Sequence, residues 1–257
     1  MNYSKIFSSR LVWLAFIALP AVSCVKTATP PGAVSLTIEN CIANCATITT
    51  NFEGGQSLTY NWTANMISYG FFQYTDQMSV LPGIQHVALF QYGDTTDHSV
   101  PLINVALNVA SGSYYSLFCM GTIDHPDTVF VKENIPYYGT DSVAGIRFAN
   151  FSAGSAPISI NITGQPYGSV FSSLPYKGMT GFIRFPATSN VFNDLFEFRD
   201  AATGTLIATR NARNVGQPGM DFAPNTWQFK NNTIALIGIP GQTDFYSMQR
   251  TDVINNY

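Results

Sequence analysis

The chain has 257 residues, of which 46% are hydrophobic, 14% are aromatic and only 11% are charged. That composition excludes intrinsic disorder and suits a protein with a substantial buried core. Acidic residues outnumber basic ones by 15 to 12, for a net charge of −3. Because no cluster of basic residues is available to neutralise phosphates, the sequence argues against nucleic acid as a partner.

Residues 1–23 have the pattern of a lipoprotein signal peptide. Lys5 and Arg10 supply positive charge, and residues 11–22 form an apolar stretch that is too short to span a bilayer. Small residues lead directly to Cys24, so we expect cleavage before Cys24 and acylation of its thiol. Ordinary signal cleavage near the same place is the alternative. Acyl chains on Cys24 would anchor the protein in a membrane, which is its expected membrane contact.

Residues 24–35 are rich in Thr, Pro and Gly and show no apolar period, so they predict a tether. The chain beyond them predicts strand after strand, with turns of Gly, Pro, Asp and Ser at roughly ten-residue spacing, as is typical of antiparallel β-sandwiches. The predicted strands are 58–63, 67–74, 86–92, 103–109, 114–120, 128–132, 146–149, 156–163, 181–186, 195–199, 205–210, 225–230, 233–239 and 245–250.

The clearest of these strands is 156–163, in which Ala156, Ile158, Ile160 and Ile162 alternate with polar residues. A period of two over eight residues predicts a strand with one buried face. The chain also looks like two diverged copies. Tyr69-Gly70 and then residues 87–90 in the first half are paralleled by Tyr167-Gly168 and then residues 182–185 in the second.

The stretch 146–162 resembles a recurrent domain of unknown function in envelope lipoproteins of Bacteroidota. The resemblance lies in a strand ending in Asn (147–150), a Ser/Pro/Ala turn (152–157) and an aliphatic strand (158–162) that leads to Gly164. Residues 112–118 are similar to the Gly-x-Tyr strand of that family. The resemblance implies tandem immunoglobulin-like sandwiches on a lipoprotein at the cell surface or in the periplasm, and it supplies no catalytic residues.

These observations predict an all-β protein with two tandem immunoglobulin-like antiparallel β-sandwiches after a signal peptide and a tether. The Tyr-rich interruption at residues 135–141 marks the boundary between the sandwiches. The expected organisation is a signal peptide at 1–23, a tether at 24–35, an N-terminal sandwich at 36–138 and a C-terminal sandwich at 139–257.

Three cysteines remain after acylation of Cys24. Cys41 and Cys45 could close a small disulfide loop, either of them could pair with Cys119, or Cys119 could be an unpaired thiol in an apolar strand. The spacing Cys-x3-Cys without a nearby histidine is a weak zinc pattern, so we expect no metal at these residues.

Two loops carry the clustered ionisable groups: Asp94, Asp97 and His98 in the first, and Asp124, His125 and Asp127 in the second. They could hold a calcium ion or act in acid–base chemistry, but an EF-hand spacing is absent and Asp is an ordinary turn residue. Solvated loops are therefore the favoured interpretation. Motifs such as Gly-x-Ser-x-Gly, His-Glu-x-x-His and the P-loop are also absent from the sequence, so we expect neither an enzyme nor a cofactor.

Aromatic residues suggest a binding role. Flat rings that are exposed on loops stack on sugar faces, whereas buried rings brace the core or the boundary between domains. The candidates are Trp62, Tyr69, Tyr74, Tyr92, Tyr137, Tyr138, Tyr176 and Trp227. We therefore expect an outer-membrane lipoprotein that serves as a binding, adhesion or scaffolding module with a glycan or protein ligand. The alternative is a glycan-binding accessory of a polysaccharide uptake system, and an enzyme is less favoured.

Overall fold

The protein is nearly all β in a computed structural model that describes residues 32–52, 65–93, 100–217 and 225–256. Gly32–Tyr257 form one compact unit. Eight strands belong to its N-terminal half: β1 (Val34–Asn40), β2 (Thr47–Asn51), β3 (Met66–Ser68), β4 (Gln77–Val80), β5 (Gly83–Gln91), β6 (Ile103–Val109), β7 (Tyr114–Gly121) and β8 (Pro126–Lys132). A short 3-10 helix, Tyr74–Asp76, lies between β3 and β4.

Eight further strands form the C-terminal half of the described chain. They are β9 (Val143–Asn150), β10 (Ile158–Ile162), β11 (Phe171–Leu174), β12 (Ile183–Pro186), β13 (Asn193–Asp200), β14 (Leu206–Arg213), β15 (Asn231–Ile237) and β16 (Arg250–Asn255). None of the described helices is long and apolar enough to cross a membrane.

The two halves have the same topology. The first half contains the sheets β4-β1-β7-β8 and β3-β2-β5-β6, and the second contains β12-β9-β15-β16 and β11-β10-β13-β14. In each half the first strand is parallel to the seventh, and the other strand pairs are antiparallel. The predicted all-β sandwich class is therefore confirmed, and the internal repeat extends to every strand.

Alternating side chains give each half its own core. Leu36 and Ile38 of β1 pack with Leu89 of β5 and Leu117 of β7 in the first half. In the second half Ile158 and Ile160 are fully buried among Phe148, Phe196 and Phe198, as predicted. The predicted polar face of this strand is wrong, because Ser159 and Asn161 are also buried, and the strand begins at Ile158 rather than at Ala156. Each such side chain contributes about 1.5–3 kcal/mol of burial free energy, so the two cores are the main source of stability.

A third apolar cluster joins the two halves. Phe118 and Met120 of β7 project from the strand face opposite Leu117 and meet Phe151, Ala235 and Ile237 of the second half. The rings of Phe118 and Phe151 lie 4.9 Å apart between centroids. The sheet β4-β1-β7-β8 therefore packs against its counterpart β12-β9-β15-β16, which makes four stacked β layers.

Several predicted elements differ in the structure. β1 begins at Val34, inside the predicted tether 24–35, because Val34 and Leu36 are buried in the first core. Residues 225–230 form turns rather than a strand, and the predicted strand 245–250 is mostly a loop that precedes β16. The predicted strand 58–63 lies outside the described residues.

The hydrogen bonds also correct the alignment of the repeat. Asn40 and Asn150 end β1 and β9, and their backbone oxygens accept from the N–H groups of Gly70 and Lys177 respectively. Tyr69-Gly70 therefore corresponds to Tyr176-Lys177 and not to Tyr167-Gly168. Residues 87–90 of β5 likewise correspond to β13 and not to residues 182–185, because β12 holds the place of β4 in its sheet. Gly70 and Lys177 both have positive φ, 53° and 65°. A lysine in this conformation is uncommon, so the tertiary structure imposes the turn in the second copy.

Candidate functional site

The predicted Asp/His loops do not form a metal site within the described residues. Asp124 and His125 are exposed in the turn between β7 and β8, whereas Asp127 forms an ion pair with Lys177. Asp94, Asp97 and His98 lie outside the described part, as does Cys24. Among the residues described, no group of three or more His, Cys, Asp or Glu side chains could hold a metal ion.

The three described cysteines are free and buried thiols. Cys41 belongs to the cluster between the halves, whereas Cys45 and Cys119 belong to the first core. The disulfide considered for Cys41 and Cys45 is absent from the structure, because the two side chains enter different clusters. Burial raises the pKa of the Cys45 thiol to about 11, so this group is a protonated thiol at neutral pH.

The candidate aromatic residues divide into buried and exposed groups. Tyr138 is buried and donates a hydrogen bond to Asn231 Oδ1 at 2.8 Å, and Trp227 is buried in the second core. Tyr69 is buried between the halves with Tyr176 partly buried beside it. Tyr74, Tyr92 and Tyr137 are exposed. Trp62 lies outside the described residues.

Exposed rings gather at one end of the contact between the halves. Phe71, Phe245 and Tyr246 are 64%, 55% and 41% exposed, and they line a cleft of about 320 Å³ together with Tyr69 and Arg250. We call this site the aromatic cleft. Exposed large rings that converge on one concavity are a typical feature of ligand sites.

Arg250 fixes the geometry of the aromatic cleft. Its guanidinium carbon lies 5.1 Å from the centroid of the Tyr69 ring and 4.7 Å from that of Phe245. The same guanidinium donates to the backbone oxygens of Tyr69 at 3.1 Å and Gly70 at 3.3 Å. One side chain from the second half thus positions rings from both halves, through cation–π contacts and hydrogen bonds.

The loop between β15 and β16, residues 238–249, carries Phe245 and Tyr246. Asp244 folds it, because its side chain accepts from the backbone N–H of Tyr246 and its backbone oxygen accepts from the N–H groups of Ser247 and Met248. The backbone oxygen of Tyr246 in turn accepts from Asn44 N–H at 2.8 Å. The rings are therefore held on a folded loop that is tied to the first half.

The equivalent position in the repeat lacks this loop. β7 ends at Gly121 and β15 is followed directly by Gly238, and both glycines have positive φ, 86° and 94°. Residues 122–125 suffice to turn the chain from β7 into β8, whereas residues 238–249 intervene between β15 and β16. Because the fold closes this connection with a short turn in one copy, the aromatic loop of the other copy is additional to what the fold requires.

Two further concavities adjoin the aromatic cleft. Thr47 and Ser68 border both the cleft and a hollow of about 460 Å³ that contains exposed Tyr92. Arg250 borders both the cleft and a groove of about 720 Å³ along β14 and β16. This second concavity, which we call the arginine groove, is lined by Arg210 and Arg213 as well as Arg250.

A pair of buried carboxyl groups lies between the halves near Arg250. Glu39 of β1 is fully buried, and Asp252 of β16 is 6% exposed. Burial, followed by mutual repulsion, raises the pKa of Glu39 well above its usual value, and burial also raises that of Asp252. The two groups face each other closely enough for one proton to be shared in a hydrogen bond. If neither carboxyl group carried a proton, the buried oxygens of Glu39 would have no hydrogen-bond donor.

The residues of this site carry weak signals in the sequence. Phe71, Phe245 and Arg250 fit an alternating strand pattern as well as they fit a loop, so their exposure could not be predicted from the sequence pattern.

Similarity to known proteins concerns the whole chain and not the site alone. No protein-family profile matches the chain, and no curated protein matches it.

A solved structure with similarity to this chain is the crystal structure of a "putative adhesin" from Bacteroides ovatus. The two sequences are 10% identical, the alignment covers 86% of this chain and 93% of that one, and the TM-score is 0.22. This TM-score is below the range of proteins that share a fold.

Proposed function

We propose that the protein is a non-catalytic binding module of the cell envelope and that the aromatic cleft is its ligand site. One observation carries the proposal: the loop with Phe245 and Tyr246 is present in one copy of the repeat and replaced by a short turn in the other. A segment that the fold does not need, and that keeps large rings in solvent, is best explained by ligand contact.

The energetics of the rings support the same proposal. An exposed Phe forgoes most of the roughly 1.5–3 kcal/mol that its burial would contribute, so Phe71 and Phe245 contribute little to folding. Their rings remain available to a partner, and Arg250 holds Phe245 in place before any ligand arrives. Preorganised aromatic contacts of this kind are enriched among the residues that dominate binding energy.

Removal of the exposed rings should abolish binding without unfolding the protein. Cells that display the full-length chain would be tested for retention on immobilised mucin, fibronectin, dextran and polygalacturonate. For the probe that wild type retains, we expect Phe71→Ala/Phe245→Ala to weaken retention by about tenfold or more, since two stacking contacts are lost. The circular dichroism spectrum should stay unchanged because both rings are mainly exposed.

The matched control is Tyr137→Ala, which removes a ring that is 93% exposed and does not line the cleft. This variant should retain the probe as well as wild type does. Retention of none of the four probes, or equal loss in the control and the double variant, would contradict the cleft as the ligand site.

We also propose that Cys24 anchors the module as an outer-membrane lipoprotein. Cells grown with an alkyne analogue of palmitate should label the wild-type chain and leave Cys24→Ser unlabelled, and the variant should leave the membrane fraction. An unlabelled wild-type chain would remove the anchor from the proposal. Protease added to intact cells would then distinguish the cell surface from the periplasmic face.

A glycan ligand is the second candidate within this function. The rings of Phe245 and Tyr246 both line the cleft, and they lie 5.2 Å apart between centroids at 89° to each other. Two exposed aromatic rings at right angles suit the flat faces and polar edges of a sugar ring. A role as accessory in polysaccharide uptake would follow from retention of dextran or polygalacturonate together with loss of that retention in the double variant.

A further inference from the structure

We propose that the aromatic cleft and the arginine groove together bind an acidic polysaccharide, with the rings contacting sugar faces and the arginines contacting the anionic groups. This inference rests on the proposed function and adds the chemical class of the ligand. It starts from the charge of the groove, which is opposite to the charge of the whole chain.

The residues that line the arginine groove include Arg210, Arg213 and Arg250 but no Asp or Glu, within the part of the chain that the structure describes. The residues lining the aromatic cleft and the hollow beside Tyr92 also include no acidic side chain. The chain as a whole has more acidic than basic residues, with 15 against 12. Three arginines on one concave surface therefore form a local positive potential on an acidic protein.

Two of the three arginines are held in place by the protein. Arg210 donates from Nε to Thr251 Oγ1 at 3.1 Å and from a terminal nitrogen to the Thr251 backbone oxygen at 2.5 Å. Arg250 is held between Tyr69 and Phe245. Arg213 is exposed at the rim of the groove. A guanidinium that is fixed in advance loses little entropy when it pairs with a carboxylate or a sulfate.

Asp252 lies near two of these arginines, Arg210 and Arg250, but it does not line the groove. It is buried against Glu39, and it interacts electrostatically with both Arg210 and Arg250. When one proton is shared between Glu39 and Asp252, the pair carries a single negative charge, and Asp76 beside it adds a second above about pH 6, against the three guanidinium groups of the groove. The groove therefore keeps a net positive charge that a ligand can neutralise.

The shape of the surface selects a polysaccharide among anionic polymers. The hollow beside Tyr92, the aromatic cleft and the arginine groove adjoin one another through shared residues, so an extended chain could occupy all three. Exposed rings at Phe71, Phe245 and Tyr92 offer stacking surfaces to pyranose rings, whereas a polypeptide of carboxylates has no comparable flat faces.

The test compares uncharged and charged chains with the full-length protein in affinity electrophoresis. Polygalacturonate and alginate supply carboxylates, dextran sulfate supplies sulfates, dextran is neutral, and polyglutamate is an anionic peptide. We expect an acidic polysaccharide to be retained about tenfold more strongly than dextran, and that retention to fall steeply at about 0.5 M salt. The carboxylate and sulfate arms identify which anionic group is preferred.

The matched variants are Arg213→Glu in the groove and Lys132→Glu, which makes a similar change of charge at an exposed residue of β8. Arg213→Glu should weaken retention of the acidic chain by about tenfold or more, and Lys132→Glu by less than about twofold. Equal effects of the two variants, dextran retained as well as the acidic chains, or polyglutamate retained as well as polygalacturonate would each overturn the inference.

Failure of the inference is distinguishable from failure of the proposed function. If Phe71→Ala/Phe245→Ala abolishes retention while Arg213→Glu does not, the cleft is a binding site and the acidic ligand is wrong. If Arg213→Glu abolishes retention of an acidic chain while the double variant does not, the groove binds the chain and the aromatic cleft is wrong as the ligand site.

Discussion

Glu133→Ala should lower the free energy of unfolding by about 3–5 kcal/mol, because it leaves the buried charge of Arg147 without its partner. The two terminal guanidinium nitrogens of Arg147 donate to the two carboxylate oxygens of Glu133 at 2.7 and 2.9 Å. The side chains of Arg147 and Glu133 are only 6% and 1% exposed. A pair with this bidentate geometry and this burial is almost unscreened by solvent.

The surroundings of Arg147 explain why it cannot move to water when Glu133 is removed. Its Nε donates to Thr233 Oγ1 at 2.9 Å, and its guanidinium carbon lies 4.7 Å from the Phe182 ring centroid and 5.6 Å from that of Phe118. Glu133 follows β8 of the first half, whereas Arg147 lies on β9 of the second. The ion pair thus joins the two halves beside the apolar cluster that they share.

Urea unfolding of the wild type and three variants checks this prediction. Arg147→Met/Glu133→Leu should lie within about 2 kcal/mol of wild type, because both charges are removed together. Asp141→Ala, which breaks the exposed pair with Arg184, should cost less than about 1 kcal/mol. A loss for Glu133→Ala as small as that for Asp141→Ala would show that the buried pair contributes little.

Raising the pH from about 5 to about 8 should destabilise the protein, by about 1–3 kcal/mol, and Glu39→Gln should remove much of that loss. Burial raises the pKa of Glu39 and of Asp252 in the folded protein, and it raises that of Asp76 to about 6. In the unfolded chain these groups titrate near pH 4. The folded state therefore holds protons that the unfolded chain releases.

The direction of the effect follows from that difference. Stability from these protons is fully present below about pH 4 and is lost as the pH rises through the folded pKa values. The contribution of Asp76 is lost between about pH 4 and about pH 6. The contributions of Glu39 and Asp252 are lost as the pH rises from about 4 to the raised pKa values of these groups in the folded protein. The charged or titratable groups that influence Glu39 or its partner Asp252 are Asp76, Cys41, Cys119, Arg210 and Arg250.

Glutamine at position 39 supplies an amide N–H in place of the shared proton, so the hydrogen bond to Asp252 no longer depends on pH. Thermal unfolding between about pH 5 and about pH 8 should give a shallower pH dependence for Glu39→Gln than for wild type. Asp124→Asn, which neutralises an exposed carboxylate, should keep the wild-type slope. Wild-type stability that rises over this range, or equal slopes for Glu39→Gln and wild type, would contradict the shared proton.

Alternation of side chains made most of the architecture predictable. Ile158 and Ile160 are buried as their period of two predicts, although Ser159 and Asn161 on the other face are buried too, and the β class follows from many strands of this kind. Where alternation is weak, a strand was not predicted: β11 reads Phe-Ser-Ser-Leu and is largely exposed, so nothing in it distinguishes a strand from a loop. The anchor at Cys24 and the immunoglobulin-like assignment remain predictions.

Local sequence determined most of the strands and the apolar face of those that alternate clearly, because the period of two acts between neighbours in the chain. The pairing of the two sandwiches depends on contacts between distant residues, such as Phe118 with Phe151 and Glu39 with Asp252. The aromatic cleft and the arginine groove depend on the same pairing, since Arg250 reaches Tyr69 only across it. No local sequence pattern encodes such contacts, because each contacting residue belongs to an ordinary strand or loop of its own half and its partner is distant in the chain.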